Sequence, residues 1–141
     1  MPFQSPFNAL RNQFRRPRYQ IVDTQSQDAL SGPLSVGQFG FNASQYPDGT
    51  EFRLSVTFQV SNGALTGTVL LYNVTDGETV TNSTLTTSST SPDSQLSLAL
   101  PVGAAAGNLK SSVKVYEARI SVTGAAPVDI VSVGSVSLAI I

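Results

Sequence analysis

From Phe52 to Val60 the chain alternates without a break. Phe52, Leu54, Val56, Phe58 and Val60 are apolar, and Arg53, Ser55, Thr57 and Gln59 between them are polar. Successive side chains of a strand point to opposite faces, so this run predicts a strand with one face in a core and one in solvent. Wound as a helix, the same residues would spread around the whole circumference. Other short runs follow the same logic. Residues 66–74 (TGTVLLYNV) and 78–88, with Val80 and Leu85 as apolar points, predict further strands, and Leu96, Leu98 and Leu100 alternate in another. In 113–122, Tyr116, Ala118, Ile120 and Val122 share a face opposite Glu117, Arg119 and Ser121. Residues 128–133 and 135–141 close the chain, with Val136, Leu138 and Ile140 on one face and Ile140 and Ile141 read as closing the core.

Turn signals separate these runs: Pro47-Asp48-Gly49, Asn62-Gly63, Asp76-Gly77, Ser91-Pro92-Asp93 and the stretch from Gly124 to Pro127. Residues 101–109 (PVGAAAGNL) read as a flexible loop. Short strands with a turn about every 8–12 residues predict an all-β chain, an antiparallel β-sandwich or jelly roll. At 141 residues the chain suits one such body and is short for two.

The charge is divided unevenly along the chain. Arg11, Arg15, Arg16 and Arg18 precede every acid, so residues 1–22 carry +4, and residues 23–141, with four bases and nine acids, carry −5. Three segments follow: residues 1–22 as an extended basic arm, 23–50 as a polar connector with a candidate strand at 34–41 (LSVGQFGF), and 51–141 as the β-sandwich domain. Ser5-Pro6 looks like a helix start. Phe7, Leu10 and Phe14 then share one face of a short helix, Arg11, Arg15 and Arg18 a neighbouring one, and Pro17 ends it.

Four arginines would hold nucleic acid weakly, and a domain at −5 would repel it. Phe3, Phe7, Leu10 and Phe14 have no use in a solvated tail. The arm therefore reads as a docking arm on a protein partner, with those four as apolar anchors and Arg11, Arg15, Arg16 and Arg18 pairing with acidic groups. Ordering about 20 residues costs on the order of 1–2 kcal/mol each. Burying four such side chains returns roughly 1.5–3 kcal/mol each. An ordered arm thus needs many more contacts than its own anchors provide.

Little in the chain points to catalysis or cofactors. With no His and no Cys, serine triads, thiol nucleophiles and ordinary zinc sites have no candidates. No glutamate pair is placed for glycoside hydrolysis, and no Gly-rich phosphate loop is present. Asp48-Gly49 and Asp76-Gly77-Glu78 could lend oxygens to Ca²⁺, but such dipeptides in a β-protein are ordinarily turns. Asn42-Ala43-Ser44, Asn73-Val74-Thr75 and Asn82-Ser83-Thr84 match the glycosylation sequon by chance in a Ser/Thr-rich chain. No apolar run approaches the roughly 18 residues of a membrane span, and the first residues do not read as a secretory signal. The expectation is a protein that is not an enzyme, has no cofactor, binds neither nucleic acid nor membrane, and is made in the cytoplasm.

The stretch VLLYNVTDGETVTNSTLTTSSTS at 69–91, followed by VKVYEARISVTG at 113–124 and GSVSLAII at 134–141, resembles small β-sandwich virion proteins of tailed phages. Capsid decoration (cement) proteins are the nearest likeness. The resemblance covers about 75 residues and carries over no functional residue. It implies a protein on the capsid surface of a virion, trimeric at three-fold sites, whose partner is the major capsid protein and whose arm reaches over neighbouring subunits. The alternative it leaves open is a tail or fibre domain that binds a host surface or carbohydrate, with Tyr46, Tyr72 and Tyr116 as candidate stacking rings.

Overall fold

The computed structural model describes residues 33–123 and 131–141 in full, and residues 18–22 and 25–27 at the level of backbone pairing. Ten strands appear among them: β1 (Arg18–Val22), β2 (Gln25–Gln27), β3 (Leu34–Phe41), β4 (Phe52–Val60), β5 (Thr66–Asn73), β6 (Glu78–Thr79), β7 (Leu85–Thr87), β8 (Asp93–Leu96), β9 (Lys114–Thr123) and β10 (Val131–Ile140). Among the described residues the one helical element is a 3-10 turn at Ala43–Gln45.

All the strand pairs are antiparallel. One sheet runs β1-β10-β4-β8, with β2 also on β10, and the other runs β3-β9-β5-β6, with β7 also on β5. β1 lies along residues 136–139 of β10 and β2 along 131–133, so together they act as one interrupted strand. β6 and β7 divide the edge of β5 in the same way. Counted so, the described residues form eight strands, and the first pairs with the eighth, the second with the seventh, the third with the sixth and the fourth with the fifth. That is a long hairpin rolled up on itself, the jelly roll among all-β folds.

The core lies between the sheets. Phe52, Leu54, Val56, Phe58 and Val60 of β4 are buried and the polar residues between them half-buried, as the alternation predicts. Tyr116, Ala118, Ile120 and Val122 of β9 face them from the other layer, with Val69 and Leu71 of β5. The inward residues are small at one end: a Cβ on Gly67 would lie 2.9 Å from Val60 Cγ1 and 3.1 Å from Val131 Cγ2, both in the opposite sheet. They are large at the other, where Phe41 sits 5.3 Å from Phe52 and 6.2 Å from Tyr116 between ring centroids.

Several expectations change. Arg18–Val22, read as the end of the arm, is edge strand β1 of the first sheet, and Gln25–Gln27 of the connector is β2, while the strand expected at 34–41 is β3. The short helix expected in the arm lies outside the described residues. Leu100 is buried, but Leu96 and Leu98 are 50% and 68% exposed, because Ser97 turns inward between them and its hydroxyl accepts the Leu54 N–H at 2.8 Å. Ile140 is buried, whereas Ile141 is 51% exposed and only its backbone is tied, to Glu51 in both directions. The 101–109 segment is anchored: Leu109 is fully buried, its N–H reaches Pro101 O at 2.8 Å, and Gly103 N reaches Leu109 O at 2.9 Å.

Gly67→Ala should destabilise the fold by about 1–3 kcal/mol through overpacking. In a Val60→Ala background the same change should cost less, because the clashing methyl is gone. Urea unfolding of the four-variant cycle measures both, and additive losses would contradict the close approach.

Candidate functional site

Three connections meet at the aromatic end of the sandwich: residues 42–51 between β3 and β4, 74–77 between β5 and β6, and 97–113 between β8 and β9. A backbone bond from Ala43 N to Lys110 O at 3.1 Å joins the first to the third, and one from Val74 N to Val115 O at 2.8 Å ties the second to β9. Tyr116 is fully buried and its phenol oxygen accepts the Lys110 N–H at 3.0 Å, which pins the longest connection to the core. Burial pushes that phenol above its ordinary pKa, so it stays neutral. Gly107, at φ +81, has its carbonyl on Thr81 N at 2.8 Å and leaves no room for a Cβ beside Thr81.

Two cavities open at this end. The larger, about 600 Å³, is lined by Asp76, Glu78, Lys110, Lys114, Ser111 and Ser112 among others. Its charges are matched. Lys114 Nζ is 3.1 Å from Asp76 Oδ1, and Lys110 Nζ is 2.9 Å from Glu78 Oε1. The second contact is mainly charge attraction, because Lys110 donates to Ala105 O at 2.7 Å and Glu78 Oε1 accepts no directed hydrogen bond. The hydrogen bond from Lys114 above all, with one from Asn73 and against desolvation, holds the Asp76 carboxyl below its ordinary pKa, and Lys110 with the Gly107 N–H does the same for Glu78. Of the three carboxylates considered for Ca²⁺, Asp76 and Glu78 are thus engaged by lysines and Asp48 lies in a separate turn, and no cluster of metal-ligating residues occurs among the described residues. The smaller cavity, about 280 Å³, lies between the 42–51 connection and Val102, with Tyr46, Pro47, Asp48 and Phe52 in its wall.

The outer face of the second sheet carries one more charged group. Glu117 points away from the core yet is only 5% exposed. Gln38 donates to it at 2.8 Å, Arg119 pairs with it, and the Arg119 guanidinium stacks over Tyr72 at 3.4 Å from the ring centroid. Burial alone would raise the Glu117 pKa; the hydrogen bonds from Gln38, Arg119 and Ser35 and the charge of Arg119 outweigh it and hold the carboxyl below its ordinary value. Sequence spacing could not reveal this cluster, which exists because Gln38 and Tyr72 are the cross-strand neighbours of Glu117.

Of the residues expected to bind a partner, Phe3, Phe7, Leu10, Arg11, Phe14, Arg15 and Arg16 lie outside the described residues. Arg18 opens β1 opposite Ala139, so the arm enters the sandwich at the end that holds both cavities. The candidate stacking rings are engaged inside the protein. Tyr116 is buried, Tyr72 lies under Arg119, and Tyr46 stacks on Phe41 at 5.6 Å. Each Lys and Arg side chain among the described residues is in an ion pair: Arg53 with Glu51, Lys110 with Glu78, Lys114 with Asp76 and Arg119 with Glu117. Of the two remaining described acids, Asp93 is held by Thr87 at 2.6 Å and Gln95 at 2.8 Å. Asp48, exposed in its turn, has no such partner among the described residues.

No protein-family model and no curated protein matches the sequence. Among solved structures the chain is similar to part of a chain in the structure of infectious bursal disease virus, Gx strain, with a TM-score of 0.54 and 15% identity over 90% of this chain and 32% of that one. The Gt strain of the same virus gives a TM-score of 0.50 and 14% identity over 90% and 33%. The chain spans about a third of those chains, and the likeness is one of fold.

Asp76, Glu78, Asp93 and Glu117 all titrate lower in the folded chain than their ordinary values of 3.8 and 4.5. A depressed carboxyl stabilises the fold above its unfolded pKa, and that stability is lost as pH falls through the folded value. The urea midpoint should therefore hold steady from pH 7 to about 5 and fall below about 4.5, the range where unfolded carboxylates titrate. Glu117→Gln should cost on the order of 1–3 kcal/mol at pH 7, the scale of hydrogen bonds to a charged group, and should flatten the acid limb. An acid limb as steep as the parent's would show that Glu117 does not carry this linkage.

Proposed function

We propose that the chain is a structural protein of a virion, a decoration protein that binds the outside of a phage capsid and stabilises it. The observation that carries this reading is the eight-strand jelly-roll ladder, shared with a chain from a virus structure at the fold level. Two features of the surface support it. The outer face of the first sheet presents Ser55, Thr57 and Ser135, with Leu96 and Leu98 exposed on its edge, a face that suits contact with protein better than full solvation. The cations of the described body are neutralised in place, so the arginines of residues 1–18 are the ones available to an acidic partner. In this reading the arm clamps the major capsid protein, through Phe3, Phe7, Leu10 and Phe14 as anchors and Arg11, Arg15, Arg16 and Arg18 as ion-pair donors. The body forms the trimer and catalyses nothing. A tail or fibre domain that stacks sugars on tyrosine fits less well, because Tyr46, Tyr72 and Tyr116 spend their rings on Phe41, Arg119 and the core.

The protein should co-migrate with capsids when an infected-cell lysate is run on a density gradient. A chain lacking residues 1–12, which leaves β1 intact, should fold with the parent's urea midpoint and stay at the top of the gradient. Full capsid occupancy by the truncated chain would refute the clamp.

A further inference from the structure

We infer that the free edge of β8 is a docking surface for a second copy of this chain: the two β8 strands pair antiparallel about a two-fold axis, with Leu96 opposite its own image. Three observations lead there. The first is an open row of backbone groups. β8 ends the first sheet, with β4 on one side and no strand on the other among the described residues. The Ser97 N–H reaches Leu54 O at 2.8 Å, and alternate residues of an antiparallel strand bond to the same neighbour, so Asp93, Gln95 and Ser97 face β4. Ser94 and Leu96 then turn their N–H and C=O outward, where no described residue takes them. The nearby edge of the second sheet is engaged by contrast. Gln95 donates to Thr86 O at 2.7 Å, and Thr81 N reaches Gly107 O at 2.8 Å.

The second is what stands along that edge. Ser94, Leu96 and Leu98 lie on the outer face, and all three are exposed. Edge strands are ordinarily guarded by lysine, proline or a bulge, which stop another strand from adding to them. From Asp93 to Leu98 there is no lysine and no proline. An open backbone row flanked by exposed leucines is a template for strand addition.

The third is self-complementarity. With Leu96 on the axis, Leu98 meets the image of Ser94, donors face acceptors, and leucine meets leucine. No charge opposes its like. The row itself carries none, Asp93 is held by Thr87 and Gln95, and Arg53 is paired with Glu51. β1 stands at the opposite edge of the sheet, and Ile141 is bonded to Glu51 on the far side of β4, which favours another molecule over the chain's own ends. A pairing over residues 94–98 buries less than the roughly 1,200 Å² of stable interfaces, so association is weak and reversible. It operates in the purified protein and does not depend on the capsid reading, so either can fail alone.

Sedimentation velocity of the full chain from about 10 μM to 1 mM should show association that grows with concentration. Leu96→Lys puts two like charges at the axis. It should keep the parent's urea midpoint and lose the concentration dependence. The full chain has no cysteine, so single cysteines report the register. Across a hydrogen-bonded pair the Cα atoms at position 96 lie about 5.5 Å apart, within disulfide range. Those at position 94 lie roughly 14 Å apart along the strands. Under one oxidant Leu96→Cys should therefore form a disulfide-linked dimer about tenfold faster than Ser94→Cys, read on a non-reducing gel. Equal rates, a sedimentation coefficient constant across the range, or association that survives Leu96→Lys would each overturn the pairing.

Discussion

The pairing of β4 with β10 is the contact on which the rest of the jelly roll depends. It runs from Ile140 opposite Phe52 to Val131 opposite Val60, and so joins the middle of the chain to its end. β10 then has β4 on one side and β1 and β2 on the other, which places the last strand inside a sheet rather than on its edge. The pairing works only because β10 changes phase. Val131 and Val133 face the core from odd positions, Val136, Leu138 and Ile140 from even ones, and the register shifts between Val133 and Ser135. One extra residue in a strand exchanges its faces, so Gly134 at this bulge lets both halves bury their apolar side chains. β3 uses the same device: the register shifts between Ser35 and Gly37, so Val36 and Phe41 are both buried.

The strict alternation of 52–60 and 116–122 was readable in the residues, whereas 128–133 and 135–141, read as separate runs, supply one strand with a change of phase. In these stretches burial is decided by the pleat, and the pleat has a period of two. What could not be read depends on neighbours distant in sequence. Leu96, Leu98 and Leu100 share one parity, yet they part company because a buried N–H on Leu54 needs the Ser97 hydroxyl. Ser83 is a similar case, fully buried with its Oγ 3.0 Å from Leu71 N and donating to Val80 O at 2.7 Å. In both places a serine side chain replaces a strand partner, a substitution that composition registers only as one more polar residue. Glu117 reads as a solvent-facing charge until Gln38 and Tyr72 are known to flank it.

The site was legible to a lesser degree, and the reason is electrostatic. The sequence separates a +4 arm from a −5 remainder, but those totals do not show where charge is free to act. Pairing removes most of it. Arg53, Lys110, Lys114 and Arg119 each have a carboxylate within the body, and these pairs, largely at the surface, contribute modestly to stability. Their larger consequence is to leave the body without an unpaired cation among the described residues. The arm's arginines are then the distinctive charge of the sequence.

The taper of the core explains why both cavities sit where the arm enters. Gly67 lets the sheets close on Val60 and Val131 at one end. At the other end Phe41, Tyr46, Phe52 and Tyr116 meet edge to face and in stacks, with centroids 5.3 to 6.2 Å apart. Rings of that size fill space efficiently only in a few orientations, so gaps remain between them and the loops that cap them. A jelly roll of this shape is closed by methyl groups at its narrow end and by connections at its wide end. The wide end is where the 42–51 and 97–113 connections leave a cavity with Tyr46, Pro47, Phe52 and Val102 in its wall.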